Sequence, residues 1–269
     1  MHVAHIVWNP SPEVFSFPLP LLNRPILWYG LLFACGFFFS YKVLCVLSPK
    51  EMRPMLDRLA SHLVLGGVLG ARIGEILGYQ SLKHYLHNPQ DILKVWEGGL
   101  SSHGGAIGIL FALTLFCLRY KTYNFRPLLD LLVLVAPLAG CFIRVGNFIN
   151  QEILGIPSTA PWAIIFGKPL DGSLPVPRHP VQLYEAIFYA SLFLFLLWLR
   201  RKRQLHPGAL AGIGLTLLFS FRFLIEFLKE NISLYTQDSM LNMGQYLSIP
   251  FITLGLYLYR SQKIKNTIL

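Results

Sequence analysis

Charge is scarce in this chain. Asp, Glu, Lys and Arg make up 13% of the residues, whereas a soluble domain carries about 25%. The shortage excludes one large soluble core and points to several membrane spans, in keeping with a 54% hydrophobic share and a mean hydropathy of +0.52. Acidic residues are scarcer still, 13 against 23 basic ones, for a formal net charge of +10. In a soluble protein that surplus would suggest nucleic acid. Here the basic residues sit in short runs between apolar segments, the pattern of the positive-inside rule, and no nucleic-acid partner is expected.

Cysteine is sparse too. Cys35, Cys45, Cys117 and Cys141 lie in or at the ends of apolar segments and form no CxxC pair. A disulfide framework or a zinc site is not expected; the four read as small buried hydrophobes. There is no HExxH and no carboxylate cluster, so no metal and no cofactor is expected. Internal repeats and low-complexity tracts are absent, and residues 1–269 read as one integral membrane domain. The first 24 residues hold Pro10, Pro12, Pro18 and Pro20 without a clean apolar core, unlike a cleaved signal peptide.

What the chain does have is seven apolar segments, near 25–47, 59–79, 103–118, 128–148, 182–199, 208–228 and 242–259. They suit a bilayer core about 30 Å thick. The fold class is therefore an all-α membrane protein with about seven transmembrane helices. Basic clusters follow alternate spans: Lys50 to Arg58, Arg119 to Arg126, Arg200 to Arg203, and Arg260 to Lys265. All can be cytoplasmic if the N-terminus is outside and the C-terminus inside. The proline-rich loop 149–181 is then external and forms a small cap, built from short strands or turns rather than helix.

Two polar boxes interrupt this apolar background. One runs Glu97-Gly98-Gly99-Leu100-Ser101-Ser102-His103-Gly104-Gly105; the other runs from Arg144-Val145-Gly146-Asn147 through Asn150, Gln151 and Glu152 to Gly155. Ionisable groups beside spans are costly and face a bundle interior or a wet cavity. In this topology Arg72, Arg144 and Arg222 lie roughly 20–24 Å from the cytoplasmic ends of their spans, at about 1.5 Å per residue. His103 opens the span that descends from the outer side. Arg72 with Glu75, and Arg222 with Glu226, are spaced to pair on one helix face. Glu185, in Gln182-Leu183-Tyr184-Glu185, can bond a neighbouring helix, and Gly66-Gly67, Gly98-Gly99 and Gly104-Gly105 can let helices pack closely. The shared depth describes an anion pocket in the outer half of the bilayer. Guanidiniums suit bidentate binding of phosphate, and the fitting occupant is an anionic lipid headgroup.

These residues resemble the bacterial prolipoprotein diacylglyceryl transferases. The resemblance runs from Trp28-Tyr29-Gly30 through Ala71-Arg72, both polar boxes, Arg178-His179-Pro180 and Arg222/Glu226 to Met243-Gly244-Gln245-Tyr246. Its most specific piece is Arg144 to Gly155. The chain departs from the family pattern at Glu75, Ile143 and Leu218-Phe219. The resemblance implies transfer of the diacylglyceryl group of phosphatidylglycerol to the thiol of the lipobox cysteine beside a lipoprotein precursor's signal peptide. A thioether forms and glycerol-1-phosphate leaves. His103, Arg144 and Arg222 are then the catalytic candidates. His103 accepts the thiol proton, and the two arginines stabilise charge on the departing phosphate oxygen. Tyr29, Arg72, Asn147, Asn150, Glu152, Gly155, Glu226 and Gln245 form the substrate-binding set, with Glu226 holding Arg222. The implied location is the bacterial inner membrane, with the site toward the external leaflet. A lipid or organic-anion transporter is the alternative; it would want access from both faces and repeated halves. An intramembrane hydrolase has only Ser101-Ser102 beside His103 in its favour, since the chain has no GxSxG elbow and no paired catalytic aspartates.

Overall fold

The computed structural model describes residues 5–15, 26–78, 85, 87–93, 101–230 and 240–261. Among these, seven α-helices run in chain order: α1 Trp28–Leu47, α2 Leu56–Gly78, α3 Ser102–Arg119, α4 Phe125–Ile149, α5 Val181–Lys202, α6 Ala209–Ile225 and α7 Met243–Arg260. They coincide with the seven apolar segments to within three residues at each end. In hydrocarbon every backbone polar group must be satisfied within its own segment, so uninterrupted apolar runs become helices. Five are long and apolar enough to cross a bilayer: α1, α2 with the turn before it, α4, α5, and α6 extended to Leu228. The apolar helix α3 is shorter. α7 is diluted by Gln245, Ser248, Pro250 and three tyrosines. Large apolar side chains stay exposed along the helices, among them Phe33, Phe37 and Phe38 on α1, Leu65 and Leu69 on α2, and Phe111 and Leu118 on α3. Such surface suits lipid rather than water, and the protein is a multi-pass membrane protein.

The chain divides into two compact units, residues 45–131 and the remainder. In the first, α2 and α3 meet along glycines. A Cβ on Gly104 would stand 2.3 Å from the Gly70 carbonyl oxygen, and one on Gly108 2.1 Å from that of Gly66. No side chain fits there, so the backbones themselves make the contact. The looser members of the glycine pairs are Gly67 and Gly105, whose nearest neighbours would be 3.3 and 3.5 Å away. Gly98-Gly99 lies outside the described residues. Ser101 caps α3 by accepting from the Gly104 amide at 3.2 Å, and its own amide bonds the Ala71 carbonyl at 3.0 Å.

In the other unit, Gly36 of α1 lies against Ala139 and Phe142 of α4, and Gly140 of α4 against the Tyr189 ring of α5. α6 and α7 approach through Gly212 and Gly255, with Phe219 stacked on Phe251 at 4.3 Å. Between α4 and α5 lie β4 (Ile164–Phe166) and β5 (Pro177–Arg178), short strands as the proline-rich loop suggested. The sequence reading did not foresee β1 (Ile6–Trp8), which pairs parallel to β4 while β5 pairs antiparallel on its other side. A second ribbon joins β2 (Glu13–Phe15) to β3 (Ile26–Leu27), so the first helix starts at Trp28 rather than at 25. Trp8 stacks on Phe148 at 4.5 Å and donates its indole N–H to the Phe148 carbonyl at 3.0 Å. Phe148, Leu154, Ile164 and Phe166 form the small core beneath the sheet.

The glycine seam yields a stability test. Gly108→Leu should lower stability by about 2 kcal/mol or more, as overpacking does, read as a lower melting temperature in detergent. Gly30→Ala, where an added Cβ meets nothing within 4 Å, should leave it nearly unchanged. Equal melting of the two variants would refute the close contact.

Candidate active site

The specific polar box forms the end of α4 and the turn beyond it. Arg144 and Asn147 are one helical turn apart, and an Arg144 Nη1–H donates to Asn147 Oδ1 at 3.0 Å. The Asn147 amide donates onward to Glu152 Oε1 at 2.8 Å. The chain then turns sharply: Gln151 and Ile153 have φ of 53° and 57°, a left-handed conformation that costs non-glycine residues about 1–2 kcal/mol each. Contacts hold this turn in place. The Gln151 carbonyl accepts from Leu170, its side-chain oxygen accepts from the Lys168 amide at 2.7 Å, and Gln182 donates to the Glu152 carbonyl at 2.8 Å.

Gly155 follows in extended backbone with neighbours on two sides. It bridges Lys229 in antiparallel fashion, while Pro157 bridges Arg178. A Cβ on Gly155 would stand 2.3 Å from the His179 carbonyl oxygen, so only glycine fits. Its own carbonyl accepts from Arg178 Nη1 at 3.1 Å, and the same nitrogen pairs with Glu230 at 2.7 Å.

Behind this turn lies a buried cluster of charge centred on Glu185 of α5. Its carboxylate is fully buried. Arg144 Nε meets one of its oxygens at 3.1 Å; Lys229 Nζ at 3.0 Å and Arg222 Nη1 at 3.7 Å meet the other. Tyr189, one turn along α5, donates its hydroxyl to that second oxygen at 3.4 Å. Glu226 completes the cluster, pairing with Arg222 at 3.3 Å and Lys229 at 3.2 Å and accepting from the Asn242 amide. The spacing of Arg222 and Glu226 thus does place them together. A carboxylate this deep is tolerable only with cations and hydrogen bonds around it. Lys229 lies just beyond the end of its span; burial lowers its pKa from the ordinary lysine value, with Glu185 opposing that shift.

Of the residues singled out in the sequence, Arg144, Asn147, Glu152, Arg222 and Glu226 join in this one network. Tyr29 faces it, lying near Asn147, Arg144 and Glu152, with its ring against Gly146. Asn150 is half-buried in the last turn, where its amide N–H bonds the Gly146 carbonyl at 2.9 Å. Gln245 is buried with both ends of its amide engaged: it accepts from the Asn242 backbone at 2.9 Å in a capping box and donates to the Phe223 carbonyl at 3.3 Å. Arg72 and His103 belong to the unit of residues 45–131. Arg72 is buried there, bonding the carbonyls of Asp91 and Ile92, with its guanidinium over the Tyr85 ring at 5.3 Å. His103 is buried in the first turn of α3. Glu97 to Leu100 lie outside the described residues. The hub Glu185 and its partners Lys229 and Tyr189 were not among the sequence candidates for the site. The available signal was a lone carboxylate inside an apolar span, since such a group needs a cation. Among the described residues, no three His, Cys, Asp or Glu side chains gather as metal ligands.

The sequence profile of the family described as prolipoprotein diacylglyceryl transferase matches residues 16–260. The chain belongs to that family. The match spans every residue named above from Tyr29 to Gln245. A phosphatidylglycerol-prolipoprotein diacylglyceryl transferase of Tolumonas auensis is 41% identical, covering 94% of this chain and 96% of the relative. A Bacteroides fragilis protein of the same name is 38% identical, covering 94% and 93%. One from Protochlamydia amoebophila is 44% identical over 82% of this chain, and is longer, with 61% of its own length covered. Within this transferase family member, the charge cluster is also a structural element. Glu185→Leu would leave buried cations facing hydrocarbon and should cost about 3–5 kcal/mol, the usual effect of breaking a buried ion pair. Thermal unfolding in detergent would show it, and an unshifted melting temperature would mean that Glu185 is not the hub.

Proposed function

We propose that the protein transfers the diacylglyceryl group of phosphatidylglycerol to the cysteine thiol of a lipoprotein precursor's lipobox, forming a thioether and releasing glycerol-1-phosphate. The observation that carries this reading beyond family membership is the pair of guanidiniums, Arg144 and Arg222, held from different helices on the one buried carboxylate of Glu185. Cations fixed in advance in a water-poor site stabilise developing charge without reorganising, often the largest single contribution to catalysis.

In the proposed reaction the cysteine sulfur attacks the glycerol carbon that bears the phosphate ester. The carbon–sulfur bond forms as the carbon–oxygen bond breaks, and the electron pair leaves on the phosphate oxygen of glycerol-1-phosphate. The thiol proton goes to a base, for which His103 is the candidate because imidazole titrates near neutrality. Arg144 and Arg222 hold the phosphate as its charge grows. Glu226 restrains Arg222, and Asn147 connects Arg144 to Glu152. Tyr29, Arg72, Asn150, Gly155 and Gln245 are assigned to the substrate-binding surroundings, Gly155 and Gln245 through the backbone they shape.

The alternation of basic clusters supports an N-outside, C-inside orientation in the bacterial inner membrane, with the site toward the external leaflet. A C-terminal reporter active only outside the cytoplasm would overturn that orientation. For the reaction, purified protein in detergent should be given phosphatidylglycerol and a synthetic lipobox peptide. Mass spectrometry should show a diacylglyceryl gain on the Cys peptide and none on its Cys→Ser counterpart. Bound phosphatidylglycerol without any gain would refute the transferase reading. In the same assay Arg144→Ala should lose about 10²-fold or more in turnover, as loss of a charge-stabilising donor does, and His103→Gln should fall comparably. Full activity in either variant removes that residue from its assigned role.

A further inference from the structure

The charge cluster contains a buried cation that the proposed reaction does not use. Lys229 Nζ touches both carboxylates, Glu185 at 3.0 Å and Glu226 at 3.2 Å. Arg144, Arg222 and Lys229 stand against Glu185 and Glu226 directly and against Glu152 through Asn147, so three cations meet three carboxylates. Removing Lys229 would leave Arg144 and Arg222 against Glu185, Glu226 and Glu152, two cations against three carboxylates. A buried network with an excess of negative charge repels an anion, and both guanidiniums would be drawn onto the carboxylates.

We propose that Lys229 sets the charge of this cluster: by occupying one oxygen of Glu185 and one of Glu226, it keeps those carboxylates from taking up all the positive charge of Arg144 and Arg222, which is left for the phosphate of an anionic phospholipid. The placement is built in rather than incidental. The Lys229 backbone is bridged to Gly155, and the residues on either side are tied to the same extended segment, the Ile156 amide to the Leu228 carbonyl at 2.9 Å and the Glu230 amide to the Leu154 carbonyl at 3.1 Å. Glu230 is fixed in turn by Arg178. The tight turn of the Arg144 box therefore also aims the lysine. Lys229 acts through its neighbours and is a positioning residue; the inference rests on the transferase reading only for the identity of the anion.

Charge balance makes the test specific. Binding of phosphatidylglycerol, with uncharged diacylglycerol, which lacks the phosphate, as control, is measured by native mass spectrometry on folded protein in detergent. Lys229→Met should weaken phosphatidylglycerol binding by about tenfold or more and leave diacylglycerol binding unchanged. Lys229→Arg should retain binding. The double variant Lys229→Met/Glu226→Gln, which removes one charge of each sign and so restores the parent's charge balance, should recover most of the loss. A double variant no better than Lys229→Met, or a Lys229→Met protein that binds like the parent, would overturn the proposal.

A pH series supplies a second check, because burial lowers the Lys229 pKa and its charge is lost as pH rises through that lowered value. The groups facing it are Glu185, Glu226, Arg144 and Arg222, with Tyr189 on Glu185. The parent should lose phosphatidylglycerol binding on the alkaline side, while Lys229→Arg, whose guanidinium stays charged, should hold it to higher pH. Identical profiles would count against the proposal. Because these readouts are binding, they stand even if no diacylglyceryl transfer is found, and they can fail while transfer is found.

Discussion

One buried carboxylate organises the larger unit. Glu185 has no access to solvent, so it must be neutralised by the protein itself, and three cations from separate stretches of chain converge on it. Each of those stretches is constrained by that convergence. The end of α4 has to bring Arg144 inward, α6 has to present Arg222, and the chain after α6 has to turn back far enough to deliver Lys229. Breaking a buried pair by removing one partner is costly because the other charge is left stranded. The cost is steeper where the surroundings are helices facing lipid.

The turn beyond α4 shows how far the backbone is bent to serve this arrangement. Two non-glycine residues sit in left-handed conformations, Gln151 and Ile153, and strain of this kind persists only where surrounding contacts over-determine it. Those contacts come from Lys168, Leu170 and Gln182, residues of the cap and of α5. The N-terminal strand contributes as well, since Trp8 satisfies the Phe148 carbonyl at the end of α4. The cap thus holds the helix end that carries Arg144 and Asn147. Gly155 extends the same logic: its missing side chain lets one extended segment lie between the His179 backbone and that of Lys229.

Local rules made part of this legible. Arg222 and Glu226 stand four residues apart on one helix, and the pair follows from helical spacing alone. The box from Arg144 to Gly155 stands out as a candidate site because polar side chains gather where hydrocarbon would be expected. The close packing of glycines was foreseen at Gly66 and Gly104, although Gly70 and Gly108, not part of any doublet, turned out to share the seam. Lys229 carries no local signal, because a lysine just past an apolar span has the pattern of an ordinary interfacial cation whose head can reach water. Its chain partner Glu185 lies 44 positions away, and no local pattern couples them. Gln245 shows the opposite case: a polar residue in an apolar stretch that suggested headgroup contact is engaged in its own helix cap and a neighbouring carbonyl.

By itself, the sequence determined the class and the elements of this protein. Long apolar runs become helices because lipid offers their backbones no other partners, and short-range order along one chain is enough to specify that. The motif residues from Tyr29 to Gln245 also fixed its family. Only the tertiary structure decided which carboxylate sits at the centre, that Lys229 joins it, and that an N-terminal strand braces the end of α4. Those are contacts between segments distant in sequence, and they depend on helix packing and backbone turns that side-chain periodicity does not encode.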